Sequence, residues 1–159
     1  MIPRMTARNL SRLTVAAGLA VMLGACSFGA GAPLSEGLTT PMNRPGAQLN
    51  RVEALFLLND YRRQNGASDV RGDTVLDSTA QTMAQNYAKT GAQPLLPPGT
   101  TVMRLSAGYA TFAEVFSGWR AVPADAAAIS AVSVGRAGLG VVYDPTSTNG
   151  VYWVLVLAP

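Results

Sequence analysis

Histidine is absent from the 159 residues, and cysteine and lysine occur once each, at Cys26 and Lys89. Without imidazole the chain lacks the commonest general base, so Ser106, beside Gly108, has no partner that would activate its hydroxyl. A lone thiol closes no disulfide within the chain, and it cannot supply the nitrogen and sulfur set that zinc favours. Charge is also scarce, at 13% of residues. The net charge of +3 rests on Arg4, Arg8 and Arg12; the other nine basic residues face nine acidic ones. A remainder so near neutrality has no basic surface to neutralise phosphates, which argues against a nucleic-acid partner. Nor is there an apolar run of the roughly 20 residues that a bilayer-spanning helix needs.

The N-terminus has a different pattern: three arginines, an uncharged stretch of eleven residues from Leu13 to Leu23, then Leu23-Gly24-Ala25-Cys26. Charge, then grease, then small residues is the order of a secretory leader. The final tetrapeptide resembles the bacterial lipobox, in which cleavage precedes a cysteine that carries diacylglycerol. The chain's only thiol stands at that place. The expectation is a signal peptide over residues 1–25 and a lipidated Cys26 that anchors the protein firmly, because two or three acyl chains hold where one binds marginally. Ser27 is not the aspartate that favours inner-membrane retention. The expected location is therefore the cell envelope, at the outer membrane facing the periplasm if the cell is Gram-negative.

Residues 26–48 carry seven Gly and Pro between Gly29 and Gly46 and no apolar period. Such a stretch buries too little surface to offset its ordering entropy, so it reads as a flexible tether. Residues 49–159 then read as one domain. Asn50 with Glu53 suggests a capping box opening a helix whose apolar side is Val52, Leu55, Phe56 and Leu58, stopped at Gly66. Leu76, Ala80, Met83, Ala84 and Tyr87 predict a second helix ending at Gly91. Prolines 94, 97 and 98 precede a short strand at 101–105. Thr111 with Glu114 opens a third helix, and Pro123 a short alanine-rich one. Two strands, 138–143 and 151–157, close the chain around Asn149-Gly150. Helices on either side of a small antiparallel sheet imply an α+β sandwich.

Four groups of residues in this order resemble one family. Leu58-Asn59, Tyr61-Arg62 and Gly66 are similar to its opening helix, and Leu76 with Ala80-Gln81 to its second. Ala107-Gly108-Tyr109, Glu114-Val115 and Trp119 follow, then Gly138 to Val141, Tyr143-Asp144-Pro145 and Tyr152-Trp153. Together they resemble the CAP superfamily of cysteine-rich secretory, antigen 5 and pathogenesis-related proteins, in its bacterial branch. The resemblance implies an α-β-α sandwich of three layers. It also implies a cleft where histidines and glutamates hold a divalent metal in many members. Here the matching positions carry Met83, Met103 and Asp125, and Arg104 stands where the family motif has asparagine. That substitution pattern implies a degenerate domain with no metal and no cofactor.

Met83, Met103, Arg104 and Asp125 are therefore the candidate ligand cleft. Methionines adapt to irregular apolar ligands, and an arginine suits a carboxylate or anionic head group. Asp125 and Glu114 are the carboxylates left for acid–base work, although each also suits the first turn of a helix. The expected function is a lipid-anchored envelope protein whose domain binds a small amphipathic ligand or another envelope protein. A metal-independent hydrolase or peptidase, and a purely structural surface protein, are the alternatives.

Overall fold

Residues 33–159 are described by a computed structural model; the leader, the lipobox and Cys26 lie outside the described residues. The elements run α1 (Glu36–Thr39), α2 (Arg51–Gln64), β1 (Arg71–Gly72), α3 (Thr74–Thr90), β2 (Val102–Ala107), α4 (Phe112–Ala121), α5 (Pro123–Ile129), β3 (Arg136–Tyr143) and β4 (Val151–Ala158). The sheet order is β1-β3-β4-β2. β4 is antiparallel to both neighbours, and the two-residue β1 joins β3 in parallel. The sheet expected to be antiparallel is thus mixed at one edge.

Helix boundaries follow from caps. Thr111 and Glu114 form the reciprocal box at the start of α4, each satisfying an amide of the other. At α2 only half of the expected box forms. The Asn50 side chain accepts from the Glu53 amide, but the Glu53 carboxylate is taken by the Ser35 hydroxyl at 2.6 Å. α3 starts at Asp73, whose carboxylate accepts from the Val75 and Leu76 amides, and stops at Gly91, whose φ of 69° is the left-handed cap that glycine tolerates.

β4 is buried along its whole length, because both of its faces are covered. Alternation sends Trp153, Leu155 and Leu157 to one side, with Ala54, Leu58, Phe112, Phe116 and Ile129. Val154, Val156 and Ala158 turn to the other side, against Leu76, Ala80 and Ala84 of α3. The layers are α3, the sheet, and the group α2–α4–α5: the expected three-layer sandwich.

The layer carrying α3 lies unusually close to the sheet. A Cβ added at Gly138 or Gly140 of β3 would collide with the backbone of α3 at Leu76 and Ala80. The family-like Gly-Leu-Gly thus reflects helix–strand proximity, with Leu76 facing Gly138 and Ala80 facing Gly140.

Two expectations need correction. The tether does not extend to Gln48: Leu38, Met42 and Leu49 are buried in the main core, and the Met42 amide donates to the Ala110 carbonyl at 2.7 Å. Three isolated apolar plugs in a proline-rich strap leave no periodic signal. The inward side of α2 is as expected at Leu58 and Leu55, which join the main core, but not at two other positions. Val52 and Phe56 are exposed, while Ala54, Leu58, Asn59 and Arg62 are buried.

Asn59 and Arg62 explain why the family-like opening motif is structural. The Asn59 amide exchanges two 2.9 Å hydrogen bonds with the Val70 backbone. Arg62, with no exposed surface, donates to the carbonyls of Ser68, Ile129 and Ala131. It thereby ties α2 to the C-terminal end of α5, where a cation is favoured. Burial lowers its pKa, opposed by Asp69. The side chain is held by carbonyl oxygens rather than by a buried carboxylate.

Candidate binding site

The four residues expected to share a cleft do not share one. Met103 and Arg104 are neighbours on β2, and successive strand residues face opposite sides of a sheet. Met103 pairs with Val156 and Arg104 with Leu155, which fixes the two sides. Met83 and Met103 both pack, half-buried, against the apolar cluster between α3 and the sheet. Arg104 lies on the other face and meets Asp125 at the start of α5, Nε to Oδ1 2.9 Å. It also donates to the carbonyls of Met103 at 2.5 Å and Ala124 at 3.4 Å. The ion pair is close, yet the Arg104 Nε–H is not aimed well enough to count as a hydrogen bond. The arginine offered as a receptor for an anion is therefore already occupied by its own carboxylate.

Nor do the remaining carboxylates converge. Glu114 Oε2 accepts from the amides of Ala110 and Thr111 at 2.9 Å each, so it is committed to the helix cap. Among the described residues no three His, Cys, Asp or Glu side chains gather as a metal site would require. Trp119, Tyr152 and Trp153 are buried, with the indoles donating to the carbonyls of Leu105 and Tyr109.

A different place collects polar groups: the outer edge of β3. Beyond its short pairing with β1, the outward backbone groups of β3 are met by side chains. The Leu139 amide donates to Asp77 at 2.8 Å, and Arg51 donates to the Leu139 carbonyl at 3.2 Å. Gln81 reads Val141 with both ends of its amide, Nε2 to the carbonyl at 2.8 Å and Oε1 from the amide at 3.3 Å. Arg51 and Asp77 approach to 3.5 Å. This closes the edge to pairing with another strand, a hazard that open edges carry.

Two adjoining depressions flank that edge. One of about 270 Å³ is lined by Met42, Arg44, Gln81, Gln85 and Tyr143 among others. Another of about 410 Å³ lies between Gln48, Leu49, Arg51, Gln81 and Val141. Arg44, Gln48 and Gln85 are exposed there. The strap formed by residues 42–49 makes one wall, so the groove exists only because this aperiodic stretch packs on the domain. Gln81 was the available signal, a polar residue at a family-like position on the side of α3 that turns toward the sheet.

No protein-family model matches the chain, and no curated protein sequence matches it significantly. Solved structures do match. The protein MpPR-1i superposes with a TM-score of 0.57 at 20% identity, over 69% of this chain and 90% of that one. An outer surface protein of Borrelia burgdorferi gives 0.53 at 13%, over 71% and 98%. An extracellular protein of Bacillus anthracis containing an SCP domain gives 0.56 at 13%, over 68% of this chain and 40% of that longer one.

The chain has the CAP/SCP-type fold.

At these identities the likeness carries the fold and no further. Within the CAP-like domain, the divalent metal that the resemblance brings with it does not fit the residues present. Thioethers stand at two of the matching positions, packed into an apolar cluster on one side of the sheet. The aspartate at the third is neutralised by Arg104 on the other side. No helix of the described residues is long and apolar enough to cross a membrane.

Proposed function

We propose that this chain is a lipid-anchored protein of the bacterial cell envelope whose CAP-like domain works as a binding module rather than as an enzyme. Its partner is another envelope protein, taken up at the groove along β3. The observation that carries the reading is the separation of Met83 and Met103 from Arg104 and Asp125 by the full thickness of the sheet. No reactive or ligand-holding set remains there for a small amphipathic molecule or for hydrolysis. The groove keeps exposed amide and guanidinium groups at Arg44, Gln48 and Gln85. These suit the backbone carbonyls and carboxylates of a protein surface.

Both halves of the reading are testable in cells. For the anchor, an alkyne-tagged palmitate is expected to label the wild type and not Cys26→Ser, which should retain its leader by intact mass. Equal labelling of the two removes the anchor. For the binding module, a photo-crosslinking amino acid is placed at Gln48, at Gln85 and, as a comparison, at exposed Ser133. Discrete adducts from the two groove positions alone are expected. Equal yields from all three positions, or none at the groove, remove it.

A further inference from the structure

Among the described residues, three large apolar side chains near the N-terminal end stay uncovered: Leu34, Val52 and Phe56 are 52%, 79% and 67% exposed. Val52 and Phe56 stand one turn apart on the outward side of α2. With Leu34, Leu38 and Leu57 they line an open groove of about 380 Å³ between α1 and α2. Single exposed apolar residues are ordinary on a soluble domain, whereas a contiguous group rimmed by polar ones marks a contact surface.

The chain length between this face and Cys26 limits how far the face can stand from the lipid of the anchor reading. Leu34 is eight residues from Cys26, and an extended chain spans at most about 3.6 Å per residue, so the two lie within about 29 Å. A tether running to Gln48 would have allowed more than twice that distance. The early start of the fold, at α1, brings Leu34 and the groove it lines with Val52 and Phe56 close along the chain to Cys26. We infer that the α1–α2 face rests on the bilayer that holds the lipid of Cys26, with Leu34, Val52 and Phe56 entering the headgroup–acyl boundary. The inference rests on the lipid-anchor reading given above.

The charges around the patch support an apolar rather than an electrostatic hold. Arg51 is paired with Asp77, and Arg63 with Asp60 and Asp69 while its guanidinium lies 6.0 Å from the Phe56 ring centre; Glu36 and Glu53 add negative charge on the same two helices. Mixed signs give anionic lipid little to attract, so the contact should persist at high salt. Three side chains alone partition weakly. Attachment through Cys26 raises the local concentration of membrane surface to about the millimolar range, where weak partition suffices.

Because Cys26 is occupied by lipid, one introduced cysteine can be labelled selectively. The full lipidated chain is purified as Val52→Cys or as Ser133→Cys, labelled with an environment-sensitive fluorophore, and placed in phosphatidylcholine vesicles with or without brominated acyl chains. Flotation and intact mass first establish the anchor. Among floating protein, the label at residue 52 is expected to shift to the blue on vesicle addition. Brominated lipid should quench it several-fold more than the label at 133, as fits a face lying about 5–10 Å into the interface. Adding Phe56→Ser and Leu34→Ser, both at exposed sites, should remove most of the quenching while flotation persists. Floating protein whose residue-52 label is not quenched overturns the inference and leaves the anchor standing. So does a label shielded before vesicles are added, which means that the chain itself or a second copy covers the face. Protein that does not float overturns the anchor, and the inference falls with it.

Discussion

Gly140→Ala tests the helix–strand proximity on which the α3 layer depends. A Cβ there would lie 2.5 Å from the Gln81 amide nitrogen and closer still to the Ala80 carbonyl group, against a comfortable separation of about 3.5–4.0 Å for carbon atoms. The obstructing atoms are helix backbone, which cannot rotate aside. Relief requires α3 to lift from the sheet. That movement strains the Gln81–Val141 and Asp77–Leu139 hydrogen bonds and opens the contact of Ala80 and Ala84 with Val154 and Val156. Overpacking of this kind costs about 1–3 kcal/mol, and two weakened hydrogen bonds add about 1 kcal/mol each. The expected loss is about 3–5 kcal/mol, or a fall in Tm of about 10–20 °C for a domain of this size. The assay is urea and thermal unfolding of the soluble mature chain followed by circular dichroism. Gly135→Ala is the comparison, because its added Cβ meets nothing closer than 3.8 Å; it should stay within about 0.5 kcal/mol of the wild type. A Gly140→Ala protein as stable as the Gly135→Ala protein would refute the close approach of α3.

Further outcomes follow from the buried and paired polar groups. Arg62→Ala strips three carbonyls of their donor and should cost at least about 3 kcal/mol by urea midpoint. Arg62→Lys should rescue little, since one ammonium cannot serve carbonyls spread around a planar fork. A double-mutant cycle on Arg104 and Asp125 should return a coupling of about 0.2–1 kcal/mol, the range of pairs that remain partly solvated; a coupling of several kcal/mol would show the pair to be a buried structural lock. The Asp73 carboxylate is held below the ordinary carboxylate pKa first by the Leu76 amide and also by Val75 and Arg136. A depressed folded pKa gives stability that is complete above the unfolded carboxylate value, about 4, and is lost as pH falls through the folded one. Unfolding at pH 7 and pH 3 should therefore show a smaller acid loss in Asp73→Asn than in the wild type, and equal losses would discount the cap.

The parts of the fold that could be read in the sequence were those governed by short-range rules. Leu76, Ala80 and Ala84 recur at helical spacing because one side of α3 lies on the sheet, and the Thr111–Glu114 cap is wholly local. The ordered motif series led to the right fold because several of its members are geometric necessities: Gly138 and Gly140 under α3, Asn59 on Val70, Gln81 on the β3 edge. Composition is a poor guide where tertiary geometry decides burial. Val52 and Phe56 have the character of core residues, yet both are exposed, while Arg62 is buried; only the tertiary placement of the Ser68, Ile129 and Ala131 carbonyls makes a buried arginine acceptable. The strap was hidden because Leu38, Met42 and Leu49 are single plugs without a period. The candidate cleft failed on a rule that was already available. Met103 and Arg104 are consecutive on a strand, so they point to opposite faces and cannot line one pocket.

The positions at which the CAP resemblance implies a metal carry thioethers on one face of the sheet and an arginine-paired aspartate on the other, and the proposed binding role depends on their holding none. Calorimetric titration of zinc into the soluble mature chain decides the point. The expected result is no saturable heat beyond dilution up to millimolar zinc. Uptake of one zinc per chain at micromolar concentration or tighter, lost on Asp125→Ala, would contradict it.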